Sequence, residues 1–417
     1  MSELTEALKE YPRLLMEARL KPLQGTRFQP TGFPDLGPAR YKANRDTGLT
    51  EMLLVESPQS VANWLEAMTW DPPQLGRMST PTAKLAGPLS GMPYVQVNNP
   101  DGTSLTNSII EAHRLNSPYI LPDKNAPFYQ LLRAETGADK DGPLDMQRLA
   151  SAVFKYDPNS VLHGVMLEEI AGRLRLPRLI AGFIEAADVR DASYGGVMNN
   201  IIDPKGIEGH GGSSNILYHR TDFTGNLAVF FNFDLALLRG YGLGDAAETF
   251  LIALALFKIE RFLKFGLRLR TACDLKVDGE MVVTLPEGYK PPDSKNLASL
   301  LTESLIACRG KFGWGDDSVM KLVYQKKTAK AAKPAITEID LPPDLSPPNA
   351  FPESLVSQVE LKKVRKKLRL VITGPLTPEL ADEIKKQFPV PGPVEELLRK
   401  AMEEKPDDNG DDDGSAE

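Results

Sequence analysis

The chain has 417 residues, 41% of them hydrophobic and 25% charged, and a formal net charge of −7 at pH 7; such a chain is typical of a globular protein with two or three domains, or of one domain with large insertions. Its apolar runs, such as Leu251–Phe257, are far shorter than the roughly 18 residues of a membrane span, and its first twenty residues lack the apolar core of a secretory signal. We therefore expect a cytoplasmic protein with no membrane partner. Two cysteines are too few for a disulfide framework or a thiolate metal cage, and no metal or cofactor is predicted.

The first predicted element is a strand over Arg13–Leu20, which leads into the broken loop "QGTRFQPTGFPDLG" at residues 24–37. The glycines of this loop allow the backbone to approach a ligand closely. Arginine side chains bind phosphates and aromatic rings stack on exposed bases, so the composition of the loop favours binding of single-stranded RNA. Ordinary loop packing is the alternative. The predicted RNA contacts here are Arg19, Gln24, Arg27, Phe28 and Gln29.

A helix is predicted over "SPQSVANWLEAM", with Ser57 as its cap and Pro58 in its first position. Its apolar residues share one face. Gln59, Ser60 and Asn63 lie elsewhere on the helix and are predicted RNA contacts.

A short strand, "YVQV", and two helices, "SIIEAHRL" and "APFYQLLRAE", are predicted next. The segment "EAHRLNSPYI" places polar and aromatic side chains at a helix end. We predict that His113, Arg114 and Asn116 contact RNA.

Six glycines between Asp191 and Ser214 predict a long flexible insertion or a projecting hairpin. The aromatic run "NLAVFFNFDLALL" then predicts a buried strand. A helix follows over "DAAETFLIALALFKIERFLKF", with Asp245 and Glu248 as a pair resembling a capping box and its end at Gly266.

Alternation in "LRLRTACDLKV" predicts a strand with leucines in the core and Arg268 and Arg270 on an open face. The segments "GRLRLPR" and "KKVRKKLRLVI" repeat this pattern. Each alone is explained by a solvated sheet face, but together they favour a surface for a polyanion.

The predicted organisation is a core over 1–325, a Pro/Lys-rich tether over 326–352, and a basic strand with helices over 353–402. Residues 403–417 contain eight acids and one lysine and are predicted to be disordered. Without this tail the formal charge of the body is neutral.

No familiar catalytic motif is present. His219, which stands beside Arg220 and close to Asp222, is the best candidate for a general base acting on RNA. The alternative is that His219 hydrogen-bonds the rest of the protein or a nucleotide without doing chemistry. His219 and Arg220 are predicted RNA contacts, and the chain is predicted not to be an enzyme.

Eight blocks in this order, "QGTRFQPTGFPDLG", "ESPQSVANWLE", "EAHRLNSPYI", "FKYDPNSVLHGVML", "AGRLRLPR", "YHRTDFT", "FNFDLALLRGYGL" and "LALFKIERFLKFGLRLRTACDL", resemble the CRISPR-associated backbone subunit of type I-G (formerly I-U) systems, in the RAMP superfamily. The resemblance spans roughly residues 13 to 278. It implies an α+β fold with a ferredoxin-like, RRM-type core and large insertions, including a thumb hairpin that we assign to 191–225.

The resemblance also implies that several copies assemble side by side along a CRISPR RNA, with other subunits of the effector complex, and leave the guide free to pair with target DNA. The leading hypothesis is therefore a non-catalytic guide-RNA-binding subunit. The alternatives are a metal-independent endoribonuclease with His219 as base, and a scaffold that does not contact RNA.

Overall fold

The structure is a computed structural model. It describes residues 3–33, 37–45, 48–73, 84–137, 144–168, 170, 174–199, 215–324, 336–343, 348, 351–352, 355, 358–364, 367–373 and 376–403. The chain forms two compact units, Met1–Gln325 and Lys326–Glu417. The acidic tail from residue 404 onward and the glycine-rich segment 200–214 lie outside the described residues.

The strands, numbered in chain order, are β1 Arg13–Pro22, β2 Gly32–Phe33, β3 Gly37–Pro38, β4 Arg40–Arg45, β5 Gly48–Glu56, β6 Trp70–Asp71, β7 Lys84–Leu85, β8 Val95–Asn98, β9 Ser104–Asn107, β10 Val165–Leu167, β11 Leu174–Leu176, β12 Ile180–Asn199, β13 Asn215–Asp234, β14 Arg268–Arg270, β15 Cys273–Val277, β16 Val282–Leu285, β17 Met320–Val323, β18 Ile336–Leu341, β19 Val359–Val364 and β20 Lys367–Thr373.

The helices are α1 Glu3–Leu8, α2 Pro58–Ala67, α3 Pro127–Thr136, α4 Met146–Tyr156, α5 Pro158–His163, α6 Leu235–Gly240, α7 Asp245–Arg261, α8 Ser294–Phe312, α9 Pro378–Lys385 and α10 Pro391–Glu403. Short 3₁₀ turns cover Gly87–Leu89 and Arg114–Asn116, and a π turn covers Phe262–Gly266. No helix among the described residues is both long and apolar enough to cross a membrane.

The largest sheet has the strand order β14-β15-β1-β13-β12-β5-β4, with β16 also paired to β1. Its central strands β1, β12, β13 and β15 occur along the chain together with helices α2 and α7 in the order β1, α2, β12, β13, α7 and β15, which is β-α-β-β-α-β, with other elements between some of them. In the sheet these four strands stand in the order β15-β1-β13-β12, each antiparallel to its neighbour. The fold is thus mixed helix and sheet with a mainly antiparallel core.

Alternation along β1 explains which side of this sheet is buried. Leu14, Met16, Ala18 and Leu20 face the core, and the intervening residues from Glu17 onward are exposed or half-buried. Helix α2 packs on β12, and α7 packs along α8. Helix α7 is buried from Ala247 to Ile259 with few interruptions, as its apolar sequence requires.

Strands β12 and β13 form a hairpin that extends beyond the sheet. Strand β5 pairs with β12 only as far as Ala187, whereas β12 and β13 remain paired from Arg190 to Asn199. A bulge lies between these two parts, with Asp188 at φ 56°. The glycine content predicted either a long flexible insertion or a projecting hairpin, and the described strands form a hairpin.

Several predicted elements are confirmed. Strand β1 and helix α2 form, and the Ser60 backbone N–H donates to Ser57 Oγ at 3.2 Å with Pro58 in the first turn. The predicted long helix is α7, which ends at Arg261 and continues as the π turn to Gly266. Gly266 does not have the left-handed conformation that was expected; a Cβ there would lie 2.4 Å from the Phe262 side chain.

Other elements differ from prediction because local side-chain bonds compete with the helix or strand. Residues 108–113 form turns, since Asn107 Oδ1 accepts hydrogen bonds from the backbone N–H groups of Ile109 and Ile110. Strand β13 ends at Asp234, which caps α6 by accepting from the Leu237 N–H at 2.8 Å. The cap of α7 is Gly244 instead of Asp245.

The second unit contains the antiparallel sheet β18-β20-β19 together with α9 and α10. Its core includes Ile339, Leu370 and Ile384. The segment "KKVRKKLRLVI" forms two strands, β19 and β20, instead of one. Strand β18 lies inside the segment that was predicted to be a tether.

Candidate nucleic-acid interface

The opening loop is attached to the base of the β12–β13 hairpin. Phe28 and Phe223 exchange both backbone hydrogen bonds, each at 2.9 Å. The Phe28 side chain is fully buried. It is therefore a core residue and offers no ring face for a base, in contrast to the prediction.

Arg27 lies next to Phe28 and is exposed. Its guanidinium carbon stands 5.0 Å from the centroid of the Tyr194 ring on β12. No carboxylate pairs with it among the described residues, and Gln24 in the same loop is also exposed. Arg27 therefore has the exposure and charge that a phosphate contact needs.

Two more arginines lie at the hairpin base, and both have carboxylate partners. Arg40 contacts Asp191 at 2.8 Å. Arg220 donates to the Gln29 side-chain oxygen and lies 3.3 Å from the buried Asp222. The structure thus brings together three predicted residues, Arg27, Gln29 and Arg220.

Arg19 lies on a different surface, the exposed side of β1, between Glu17 and Lys21. Lys21 pairs with Asp278 at 2.7 Å. The charges on this face are of both signs, so it is not a uniformly basic surface.

Four other predicted residues, Gln59, Ser60, Asn63 and Arg270, meet in a cleft of about 320 Å³ between α2, the 109–112 turn and β14. Thr31 from the opening loop also lines it. These segments are far apart in the sequence, so the sequence did not predict that they meet. We call this site the α2 cleft.

Arg270 does not lie on an open face. It forms an ion pair with Glu56 and donates to the backbone oxygens of Gln29 at 2.7 Å and Val55 at 3.3 Å. Burial raises the pKa of the Glu56 carboxyl, while Ser60 and Arg270 act in the opposite direction. Of the predicted arginine pair, only Arg268 is exposed.

Arg114 is a buried structural residue. Its guanidinium contacts both carboxylate oxygens of Glu66, at 2.6 and 3.1 Å, and donates to the Gly164 oxygen at 3.1 Å. It is only 8% exposed, so RNA cannot reach it. Its predicted neighbours differ: His113 is exposed and Asn116 is half-buried.

A fully buried polar cluster continues behind Glu66. Lys258 on α7 contacts the Asn159 side-chain oxygen and, at 3.0 Å, His163 Nε2. Burial lowers the pKa of Lys258 to about 7 and raises that of Asp157 to about 6; the pKa of His163 is also depressed by burial. The sequence analysis missed this cluster, although "YDPNS" and a lysine in an apolar helix were visible signals.

His219 lies on β13 opposite Gly195, and the structure describes its backbone only. Within the described part of the chain, no group of His, Cys, Asp and Glu side chains could hold a metal ion.

The three basic segments belong to different sheets. Among the described residues, β11 pairs with β10, β14 belongs to the largest sheet, and β20 belongs to a sheet of the second unit. Arg369 on β20 is held by Glu338 and, at 2.6 Å, by Asp340. Within the described residues, the three patterns therefore do not lie on a single sheet face.

Residues 14–191 match the family model described as CRISPR-associated protein GSU0053 (Cas_GSU0053), which is less than half of the chain. Two solved structures are similar to the chain. One is titled "CRISPR RNA-guided surveillance complex, pre-nicking"; its sequence identity is 12% and its TM-score is 0.33, and the match covers 72% of this chain and 90% of the other chain. Another is the crystal structure of Thermofilum pendens Csc2; its sequence identity is 9% and its TM-score is 0.24, and the match covers 76% of this chain and 82% of the other chain.

Neither structural likeness is close enough to define the fold or the function of this chain. A comparison with curated proteins gives no match.

Proposed function

We propose that the chain is a non-catalytic backbone subunit of a type I-G CRISPR effector complex. In this proposal several copies line up along one guide RNA, hold it through its phosphates and sugars, and leave its bases free to pair with target DNA. The ordered sequence blocks and the CRISPR-associated family match over residues 14–191 support the proposal.

The strand order β15-β1-β13-β12 supports a ferredoxin-like core. The sequence of elements β-α-β-β-α-β with all neighbours antiparallel is that of a split βαβ fold. In this proposal β4, β5, the segment from 84 to 176 and the hairpin extension are insertions into that core.

The observation that carries the proposal is the position of Arg27. Its guanidinium is exposed, has no carboxylate partner among the described residues, and sits on a loop fixed to the hairpin base by the Phe28–Phe223 backbone bonds. A fixed, unpaired cation of this kind suits a phosphate, and phosphate contacts ignore base sequence, as a guide-holding subunit requires.

The hairpin extension adjoins this cation and is the proposed thumb. Arg27 contacts Tyr194 on one of its strands, and Arg220 lies opposite Tyr194 on the other. RNA held at Arg27 therefore lies next to the hairpin. Gln24, Arg220, His113 and Arg268 remain proposed contacts of the same ligand.

The test is to purify the chain together with its partner subunits and extract the bound nucleic acid. We expect CRISPR RNA of defined length in stoichiometric amounts. A soluble complex without CRISPR RNA would contradict the proposal. Incubation of repeat RNA with the purified chain without metal should leave the RNA intact; cleavage that is lost in His219→Ala would instead establish the endoribonuclease.

A further inference from the structure

The α2 cleft has a composition that does not suit a phosphate. Its lining residues include three carboxylates, from Glu56, Glu66 and Glu111, and one guanidinium, from Arg270. That guanidinium is already held by Glu56 and two backbone oxygens. A polyanion entering the cleft would meet surplus negative charge without a free cation among the lining residues.

The three carboxylates differ in their partners. Glu56 pairs with Arg270, and Glu66 pairs with Arg114 through both oxygens. Among the described residues, the Glu111 carboxylate accepts hydrogen bonds from two neutral groups, the hydroxyls of Thr106 and, at 2.8 Å, Ser117. Within the described residues no cation pairs with Glu111, which is half-buried.

The other walls of the cleft are aromatic, apolar and amide groups. Trp64 is half-buried, so part of its ring is accessible, and Ile109, Ile110 and Leu269 add apolar surface. The Asn63 side-chain oxygen accepts one long bond of 3.4 Å, from Gln59. Glu111, Trp64 and Asn63 thus line one pocket, and they carry a carboxylate with no cation partner among the described residues, an indole ring and an amide.

We propose that the α2 cleft binds a guanidinium group. A guanidinium is planar, so it stacks on an indole face while its N–H groups donate to a carboxylate and an amide oxygen. An ammonium is a compact, strongly hydrated charge and gains less from the ring. Gln59, which lines the cleft, already accepts a hydrogen bond from the Arg178 guanidinium at its side-chain oxygen.

The guanidinium can come from an arginine side chain of a protein partner or from a free small molecule. The cleft volume of about 320 Å³ suffices for either. This inference does not depend on the RNA-binding proposal, because none of its contacts involves Arg27 or the hairpin.

The first arm of the test titrates the full-length chain with agmatine, with a butylamine of similar length, and with inorganic phosphate and AMP, by calorimetry. We expect agmatine to bind at least tenfold more tightly than butylamine, and phosphate and AMP not to bind in the cleft. Glu111→Gln and Trp64→Ala should each weaken agmatine binding at least tenfold, whereas the exposed Glu168→Gln should not change it. Trp64→Ala serves as the test if Glu111→Gln does not fold.

The second arm places a photo-reactive amino acid at position 63 in the assembled complex and maps the cross-links by mass spectrometry. Cross-links to arginine-containing peptides of a protein partner identify the side-chain source, and agmatine binding without such cross-links identifies a free ligand. Cross-links to RNA, preferential binding of AMP or phosphate, or no guanidinium ligand in either arm would overturn the proposal.

Discussion

Arg114 and Glu66 form a two-point ion pair, with Nε–Oε1 at 2.6 Å and Nη2–Oε2 at 3.1 Å, and both residues are at most 8% exposed. They are 48 positions apart in the sequence. The pair joins helix α2 to the 3₁₀ turn at Arg114–Asn116, and Asn159 on α5 donates to the same carboxylate at 3.3 Å. It thus fixes the turn at residues 109–112 that lines the α2 cleft.

Replacing Arg114 by alanine should destabilise the protein strongly without removing a contact to RNA. The change leaves the Glu66 carboxylate buried without its cation, and breaking a buried pair in this way costs about 3–5 kcal/mol. Urea denaturation of the purified chain measures the loss. The double variant Glu66→Leu with Arg114→Leu, which leaves no lone charge, should recover part of the stability; a stable Arg114→Ala with weakened RNA binding would restore the sequence-based prediction.

Replacing Arg27 by alanine should instead weaken RNA binding with little loss of stability. The residue is exposed and has no ion-pair partner among the described residues, so the stability change should be less than ~1 kcal/mol. RNA affinity should fall. The slope of the logarithm of affinity against the logarithm of salt concentration should become shallower by the amount expected for one phosphate contact. Fluorescence anisotropy with single-stranded RNA at several salt concentrations measures both effects, with the exposed Arg133→Ala on α3 as control. An unchanged salt slope would rule out a phosphate contact.

These two arginines show which part of the site the sequence could predict. Each belongs to a segment with the composition of an RNA-binding loop, and the sequence alone treated them alike. Their partners distinguish them. Arg114 pairs with Glu66, which lies 48 residues before it, whereas Arg27 contacts the Tyr194 ring and has no carboxylate partner among the described residues. A carboxylate partner that is distant in the sequence leaves no pattern in the residues around the arginine, so the sequence could not predict that Arg114 is paired and buried.

The fold was predictable where local rules and packing agree. The Ser57 cap, the alternation along β1 and the presence of the apolar helix α7 were all predicted correctly from neighbouring residues. The prediction was wrong where one side chain redirected the backbone, as Asn107 does for the following turn and Asp234 does at the start of α6. The order of strands in the sheet is a long-range property that alternation does not encode.

Arg268 and Arg270 offer a second matched pair, since they are two residues apart on the same strand. Arg270→Ala should destabilise the chain by about 2–4 kcal/mol, because Glu56 is only 2% exposed and would lose its cation. Arg268→Ala should leave stability nearly unchanged, because its side chain is exposed. Thermal melts of both variants check this. Equal losses of stability would contradict the view that Arg270 is a buried ion-pair partner while Arg268 is exposed.

The buried Lys258 predicts how stability changes with pH. Burial lowers its pKa from the usual 10.5 to about 7, so between pH 7 and 10 the unfolded chain holds a proton that the folded chain lacks. Unfolding then takes up a proton, and the free energy of unfolding should rise with pH by up to about 1 kcal/mol per pH unit from this group. Asp157 acts in the opposite sense, because its raised pKa of about 6 makes stability fall as pH rises from about 4 to 6. Its effect is complete below the window in which Lys258 titrates.

Lys258→Met removes this dependence while keeping a side chain of similar length. Urea denaturation from pH 7 to 9 should therefore show a rise in stability for the unmodified chain relative to Lys258→Met, whereas the exposed Lys295→Met on α8 should follow the unmodified chain. The depressed pKa of His163 keeps that ring neutral in the folded chain, so its own contribution to the slope comes mainly from pH values near and below the ordinary histidine pKa of 6.5, where the unfolded imidazole binds a proton. Parallel pH profiles for the unmodified chain and Lys258→Met would mean that the ammonium stays charged in the folded protein. In that case the contact of Lys258 Nζ with Asn159, together with the nearby carboxylates of Glu66 and Asp157, would outweigh the desolvation of the charge.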